Sequence, residues 1–331
     1  MPFLFFAYWG TSRHMVEYQM SRGEGHMADR IARYEQAAAL LPPKWQRLAR
    51  QLPDYQKARA EELRLRTGQC MTVLLPEGEV WPSQELPRPA VTQSDLEQLC
   101  DIVSGYSRYA ASETLAQGYL TAAGGFRVGF CGTAVLRDGE RRNLRDISSA
   151  CIRIGREQPD LALPLLPQLR EGDSVCSTLI LSPPGLGKTT LLRDMVRTLS
   201  NGTEELLPHR VAVVDERGEI AGMYRGVPQL SVGCHTDILD GCPKAAGILM
   251  LLRALNPQII AVDEITAQED IAAIMSAAHC GVTLLATLHA TTVEELKGKP
   301  LYAKLLRSRV FSRVVMIRRE GEHRTYEVSK L

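Results

Sequence analysis

Nine consecutive residues, Ser182-Pro183-Pro184-Gly185-Leu186-Gly187-Lys188-Thr189-Thr190, hold the clearest chemistry in the 331-residue chain. They follow the apolar run 178–181 and open a segment with Leu191, Leu192, Met195, Val196 and Leu199 at helical spacing. A strand, a glycine-bearing loop and a helix start make an anion site: loop N–H groups and the positive helix end cradle phosphates. Glycines at 185 and 187 let the backbone approach without a Cβ in the way. Lys188 is expected to reach the outer phosphates, and Thr189 to place its hydroxyl on Mg²⁺. Ser182 stands where the GxxxxGK[ST] pattern has its first glycine. The expected ligand is a nucleoside triphosphate.

Two later apolar runs, 211–214 and 259–262, end in the acid pairs Asp215-Glu216 and Asp263-Glu264. Carboxylates at the C-terminal edge of a parallel sheet can hold a metal and deprotonate water. Asp263 is assigned to Mg²⁺, Glu264 to the general base and Glu216 to positioning the water. The reverse assignment of the two glutamates stays open. Thr287-Leu288-His289 ends the next run, which places His289 on the same edge as a γ-phosphate sensor; His279 reads as structural.

The elements that must position these residues are visible as alternation. Apolar runs at 178–181, 211–214, 259–262, 282–288 and 314–317 are separated by helical patterns at 188–199, 243–255, 267–279 and near 300–308. That order predicts an α/β domain over 175–331 with a mainly parallel sheet covered on both faces. Thr266-Ala267-Gln268-Glu269 has the pattern of a capping box, Gly281 of a helix end and Pro243 of a helix start. The end of the chain, 313–328, reads as a hairpin turning at 320–322. Residues 28–170 mix helical patterns (28–40, 93–104) with strands (62–66, 71–75, two runs flanking Gly124-Gly125, and 147–154). Asp138-Gly139 is a hairpin-turn signal. A smaller α+β domain is expected there, joined through the polar stretch 170–174. Residues 1–27 open with MPFLFFAYW but lack a basic region before it or a cleavage site after it, and are expected to be a disordered leader.

Composition sets limits. Lys plus Arg is 39 against 38 Asp plus Glu, and 45% of residues are hydrophobic, which excludes a disordered chain and a polyanion binder by bulk charge. No apolar run approaches the ~18 residues of a membrane-spanning helix. Eight cysteines without a CxxC pair read as buried reduced thiols, and Cys234, His235 and Cys242 as loop and helix-start residues rather than metal ligands. The stretch 297–330 has ten Lys or Arg and three Glu. Its Arg318, Arg319 and Arg324 are expected beyond the last sheet strand, facing an acidic partner or anionic lipid. A nucleic-acid-stimulated motor ranks lower, because no aromatic-interleaved basic motif of the kind that stacks single strands is present.

Segment 178–290 resembles the ATPase core of the secretion and traffic ATPases of type II and type IV secretion and pili. More specifically, GGFRVGFCG at 124–132, SPPGLGKTTLLRD at 182–194, VDERGEIAG at 214–222 and DILDGCPKAAGILMLLRALNP at 237–257 resemble the stage III sporulation protein AA family. The resemblance implies a RecA-like P-loop NTPase core using ATP and Mg²⁺. It places an acidic box on Asp215 and Glu216, the Mg²⁺ strand on Asp263 and Glu264, and the histidine box on His289. A second histidine usual in the secretion ATPases is Val282 here. It further implies a cytoplasmic ATPase peripheral to a membrane, docking on channel proteins between mother cell and forespore. Of the arginines crowding the end of the first domain, Arg127 and Arg153 are selected to reach phosphate across a subunit boundary of a homo-oligomer, a hexamer by expectation. An ATP-binding scaffold with little turnover is the competing class.

Overall fold

The computed structural model describes residues 14–17 and 23–331, apart from Glu85, residues 108–111, residues 138–139 and Glu322. The chain divides into two compact units. One contains residues 158–221 and 231–331 together with strand β1 (His14–Glu17); the other runs up to Glu157 and takes back residues 222–230. Most of the leader expected over 1–27 lies outside the described residues. Its described parts are β1 and the start of helix α1 (Gly23–Ala38).

The smaller unit stacks α1, α2 (Pro43–Ala49), α3 (Asp54–Lys57), α4 (Gln93–Val103) and α5 (Ser112–Ala116) with one sheet. Its strands are β2 (Glu62–Arg66), β3 (Thr72–Leu75), β4 (Gly78–Val80), β5 (Tyr119–Ala122), β6 (Phe126–Arg137) and β7 (Glu140–Arg153). They pair antiparallel in the order β4-β3-β2-β7-β6-β5. Alternation decides which face is covered: Phe126, Val128 and Phe130 of β6 and Ile152 of β7 are buried with Trp45, Leu48, Leu96 and Leu99 in one core. Helix α4 opens with reciprocal capping, the Thr92 hydroxyl accepting from Asp95 N while Asp95 accepts from Thr92 N. The turn Asp138-Gly139 lies outside the described residues; the strands on either side pair from Val128–Ile152 to Arg137–Glu140.

The larger unit carries a short hairpin of β8 (Arg170–Glu171) and β9 (Ser174–Val175), then an eight-stranded sheet. After β1, its strands are β10 (Thr178–Ser182), β11 (Val211–Asp215), β12 (Thr236–Asp240), β13 (Ile259–Val262), β14 (Thr283–His289), β15 (Arg313–Glu320) and β16 (His323–Lys330). The order is β1-β16-β15-β10-β14-β13-β11-β12, parallel from β15 to β12. Helices α6 (Lys188–Asn201), α7 (Lys244–Ala254), α8 (Gln268–His279), α9 (Val293–Lys297) and α10 (Pro300–Arg307) alternate with the strands. Every residue of β10, β11 and β13 is buried, the mark of parallel strands covered on both faces.

Three expectations change. Arg318, Arg319 and Arg324 are not beyond the last strand of the sheet: β15, which holds the first two, pairs parallel with β10, and β16, which holds Arg324, pairs with both β15 and β1. The cap of α8 is shifted by one residue, because Ala267 has no acceptor. Asp270 takes that part, accepting from Thr266 N and Ala267 N at 3.1 Å each. The cysteines are free, but of the eight only Cys100 is buried; Cys131, Cys234 and Cys280 are exposed. His235 closes its loop, its N–H donating to Ser200 Oγ at 2.7 Å and its Nδ1 lying 2.9 Å from Ser200 O.

Candidate active site

Parallel register gathers the chemistry at one edge. Ser182, the last residue of β10, pairs with His289, the last of β14, and Val262 at the end of β13 pairs with Ala286. The next residues, Asp263 and Glu264, therefore leave the sheet beside Thr287 and His289. Between β10 and α6 the chain turns through Gly185 (φ 77°) and Gly187 (φ 96°), left-handed positions that favour glycine. Gly187 stands at the N-cap of α6.

Lys188 is only 5% exposed, and its ammonium donates within the loop to Ser182 O (3.2 Å) and Pro183 O (3.3 Å). It also lies 2.7 Å from His289 Nδ1. An ammonium only donates, so Nδ1 accepts and the ring proton belongs on Nε2. That proton then donates to Glu264 Oε1 at 2.6 Å. Burial pushes the Lys188 pKa down, opposed by Asp263 and Glu264. Thr189 Oγ1 donates to Asp263 Oδ2 at 2.6 Å, and the Thr287 hydroxyl donates to Asp263. Hydroxyl and carboxylate oxygens beside a phosphate loop are the hard donors Mg²⁺ prefers, so this pair fits the ion.

Glu264 is held from three sides. Its N–H donates to Thr287 Oγ1 (2.9 Å), His289 donates to one carboxylate oxygen, and Arg217 Nη1 to the other at 2.6 Å. The backbone is left-handed there, φ 51°, an uncommon state for glutamate. Burial pushes its pKa up, but His289 and Arg217 outweigh burial and hold it below the usual carboxylate range.

The first acid pair is arranged differently. Asp215 is buried and accepts from Glu219 N (2.9 Å), Ile220 N (3.0 Å) and Ala221 N (2.8 Å), stapling the turn after β11. Burial raises its pKa in spite of those three donors. Glu216 forms an ion pair with Lys244, which is 5% exposed at the start of α7. Arg127 and Arg153 belong to the smaller unit. They flank the Val128–Ile152 pair on the sheet face away from the core, Arg127 half-buried with Cζ 3.8 Å from the Tyr119 ring centroid and Arg153 exposed. The sequence reading did not single out Arg217, Lys244 or Thr287. Arg217 and Lys244 sit inside the quoted stretches 214–222 and 237–257, and Thr287 opens the Thr287-Leu288-His289 run, but contacts between strands give them their roles.

A parallel sheet with a glycine-bearing turn, two acidic strand ends and a histidine at one edge makes this a mixed α/β protein with the fold of the secretion ATPases. Solved structures that share it include the Legionella pneumophila ATPase DotB (TM-score 0.52, 15% identity, covering 91% of this chain and 78% of that one) and the pilus retraction motor PilT with bound ADP (0.52, 16%, 82% and 79%). Within that class, the family model described as sporulation stage III, protein AA, matches residues 32–328, and the chain belongs to that family. It is 38% identical over 282 residues to the stage III sporulation protein AA of Bacillus subtilis, covering 85% of this chain and 90% of the relative.

Proposed function

We propose that the chain is a Mg²⁺-dependent ATPase of the sporulation apparatus, acting as a closed homo-oligomer, a hexamer, on membrane-embedded channel proteins from the cytoplasmic face. The observation that supports it is the convergence of Lys188, Thr189, Asp263, Glu264 and His289 at one sheet edge. Lys188 and the loop N–H groups bind and orient the phosphates, and Thr189 and Asp263 hold the metal. Bound Mg²⁺ would neutralise charge developing on the phosphoryl oxygens. Glu264, kept ionised by His289 and Arg217, takes the proton from the attacking water. His289 links Lys188 to Glu264, so a change at the phosphate end is felt at the base. Glu216 positions water only if its pair with Lys244 opens. No helix among the described residues is long and apolar enough to cross a membrane, so the channel components are proposed as separate proteins.

The pinning of Glu264 by Arg217 and His289 favours one second reading, a scaffold that binds ATP to assemble and turns it over slowly. Steady-state hydrolysis beside nucleotide binding separates the two. Lys188→Ala is expected to lose most nucleotide affinity. Glu264→Gln is expected to bind ATP and hydrolyse it at least ~10²-fold slower. Unchanged turnover in Glu264→Gln transfers the base to Glu216, and binding without turnover in the unmutated, assembled protein selects the scaffold.

A further inference from the structure

Arg324 is the one arginine of the C-terminal hairpin that the fold carries to the phosphate loop. A Cβ on Gly187 would stand 2.9 Å from Arg324 Nη1, 3.5 Å from its Cζ and 3.9 Å from Thr190 Cβ. The guanidinium thus lies against the start of α6. It is half-buried, and among the described residues nothing forms a hydrogen bond or ion pair with it. Its cross-strand partner is Arg319, which offers no carboxylate. Arg318 instead lies 3.6 Å from Glu327, and Arg319 Nε donates to Gly321 O.

Such a placement is electrostatically unfavourable for the protein alone. A guanidinium does not lose its charge, and this one lies against Gly187 at the positive end of a 14-residue helix. Like charges crowd together where an anion is to be bound, because the anion repays the repulsion and the partial desolvation. The strand order says which part of the anion. Asp263, Glu264 and His289 approach β10 from the β14–β13 flank, whereas Arg324 arrives through β15–β16 on the opposite flank. The first flank holds the residues for metal and water, so the second faces the end of the nucleotide that hydrolysis leaves intact.

We propose that Arg324 is a nucleotide-binding residue acting within its own subunit, its planar fork contacting the α-phosphate of ATP and of ADP. This rests on the nucleotide-binding reading above and adds a residue that separates binding from turnover. Because the contact exists equally before and after hydrolysis, it contributes uniform binding rather than transition-state stabilisation.

The test measures Mg·ATP and Mg·ADP affinity of the full chain by titration, for the unmutated protein, Arg324→Ala, Arg324→Lys and Lys188→Ala. Arg324→Ala is expected to weaken both nucleotides by the same factor, about 10-fold or more, the scale of a charge-assisted hydrogen bond. Its melting temperature without nucleotide should be unchanged, or raised by relief of the repulsion. Arg324→Lys should fall between, keeping the charge and losing the fork, and it decides the matter if the alanine variant does not fold. Unchanged affinity in Arg324→Ala while Lys188→Ala loses binding overturns the proposal and leaves the nucleotide site standing. A loss confined to ATP also overturns it, by placing Arg324 at the γ-phosphate. An unmutated chain that binds neither nucleotide removes the underlying reading instead.

Discussion

At the scale of single residues, one chain of side chains joins the loop lysine to the proposed base: Lys188 to His289 to Glu264 to Arg217. Each link constrains the next. The ammonium fixes the histidine tautomer, the histidine proton holds one carboxylate oxygen, and the guanidinium holds the other. Glu264 therefore stays ionised to lower pH than an unpaired glutamate. Arg217 is one cause of that depression, so its removal raises the pKa. In Arg217→Ala the acid limb of the kcat pH profile is expected to move to higher pH, because protonating the base now needs less acid. An acid limb that stays in place would show that a group other than Glu264 limits the rate there.

At the scale of elements, the buried strands set tolerances that the loops inherit. Helix α7 carries Gly247 in its interior, where glycine costs about 1 kcal/mol relative to alanine. The reason lies beneath it: a Cβ at Gly247 would stand 2.6 Å from Val214 Cγ1 and 3.2 Å from Leu239 Cδ2. Val214 precedes the Asp215-Glu216 pair, and α7 begins with the Lys244 that holds Glu216. Close packing of α7 on β11 thus brings the two partners together. Gly247→Ala is expected to lower the thermal midpoint, since overpacking a buried strand costs about 1–3 kcal/mol and exceeds the gain in helix propensity. A higher midpoint in circular-dichroism melting would show that the strand yields.

For the whole molecule, the proposal of subunit-boundary catalysis rests on the placement of arginines. Arg127 and Arg153 lie on the face of the antiparallel sheet away from its core, on neighbouring strands with their buried neighbours Val128 and Ile152 facing the core. The proposed oligomer would bring a second copy to this sheet face, and head-to-tail contacts of that kind close into rings. Arg127→Ala or Arg153→Ala is expected to keep nucleotide binding and lose hydrolysis. Mixing either with Lys188→Ala should restore part of the activity, where one subunit's loop meets the other's arginine. Hydrolysis by a monomer at saturating Mg·ATP, at a specific rate independent of protein concentration, would rule this arrangement out.

Elements whose signal is local can be read directly along the chain. The buried runs β10, β11, β13 and β14 and the helices between them are legible because a parallel strand covered on both faces is continuously apolar. The turn between β10 and α6 is legible because Gly185 and Gly187 supply the left-handed positions it needs just before a helix start. Other features depend on contacts between segments distant in the chain. Strand β12 at the sheet edge carries Asp237 and Asp240 and is not among the apolar runs, because none of its residues is fully buried. The Asp263-Glu264 and Asp215-Glu216 pairs look alike in sequence. Strand order separates them, sending the first toward Thr189 and His289 and the second toward a buried lysine and a backbone staple. Arg324 reads as part of a basic tail until β15 pairs with β10 and carries it to Gly187, because which strand lies beside which is settled by packing across the sheet and not by the residues along it.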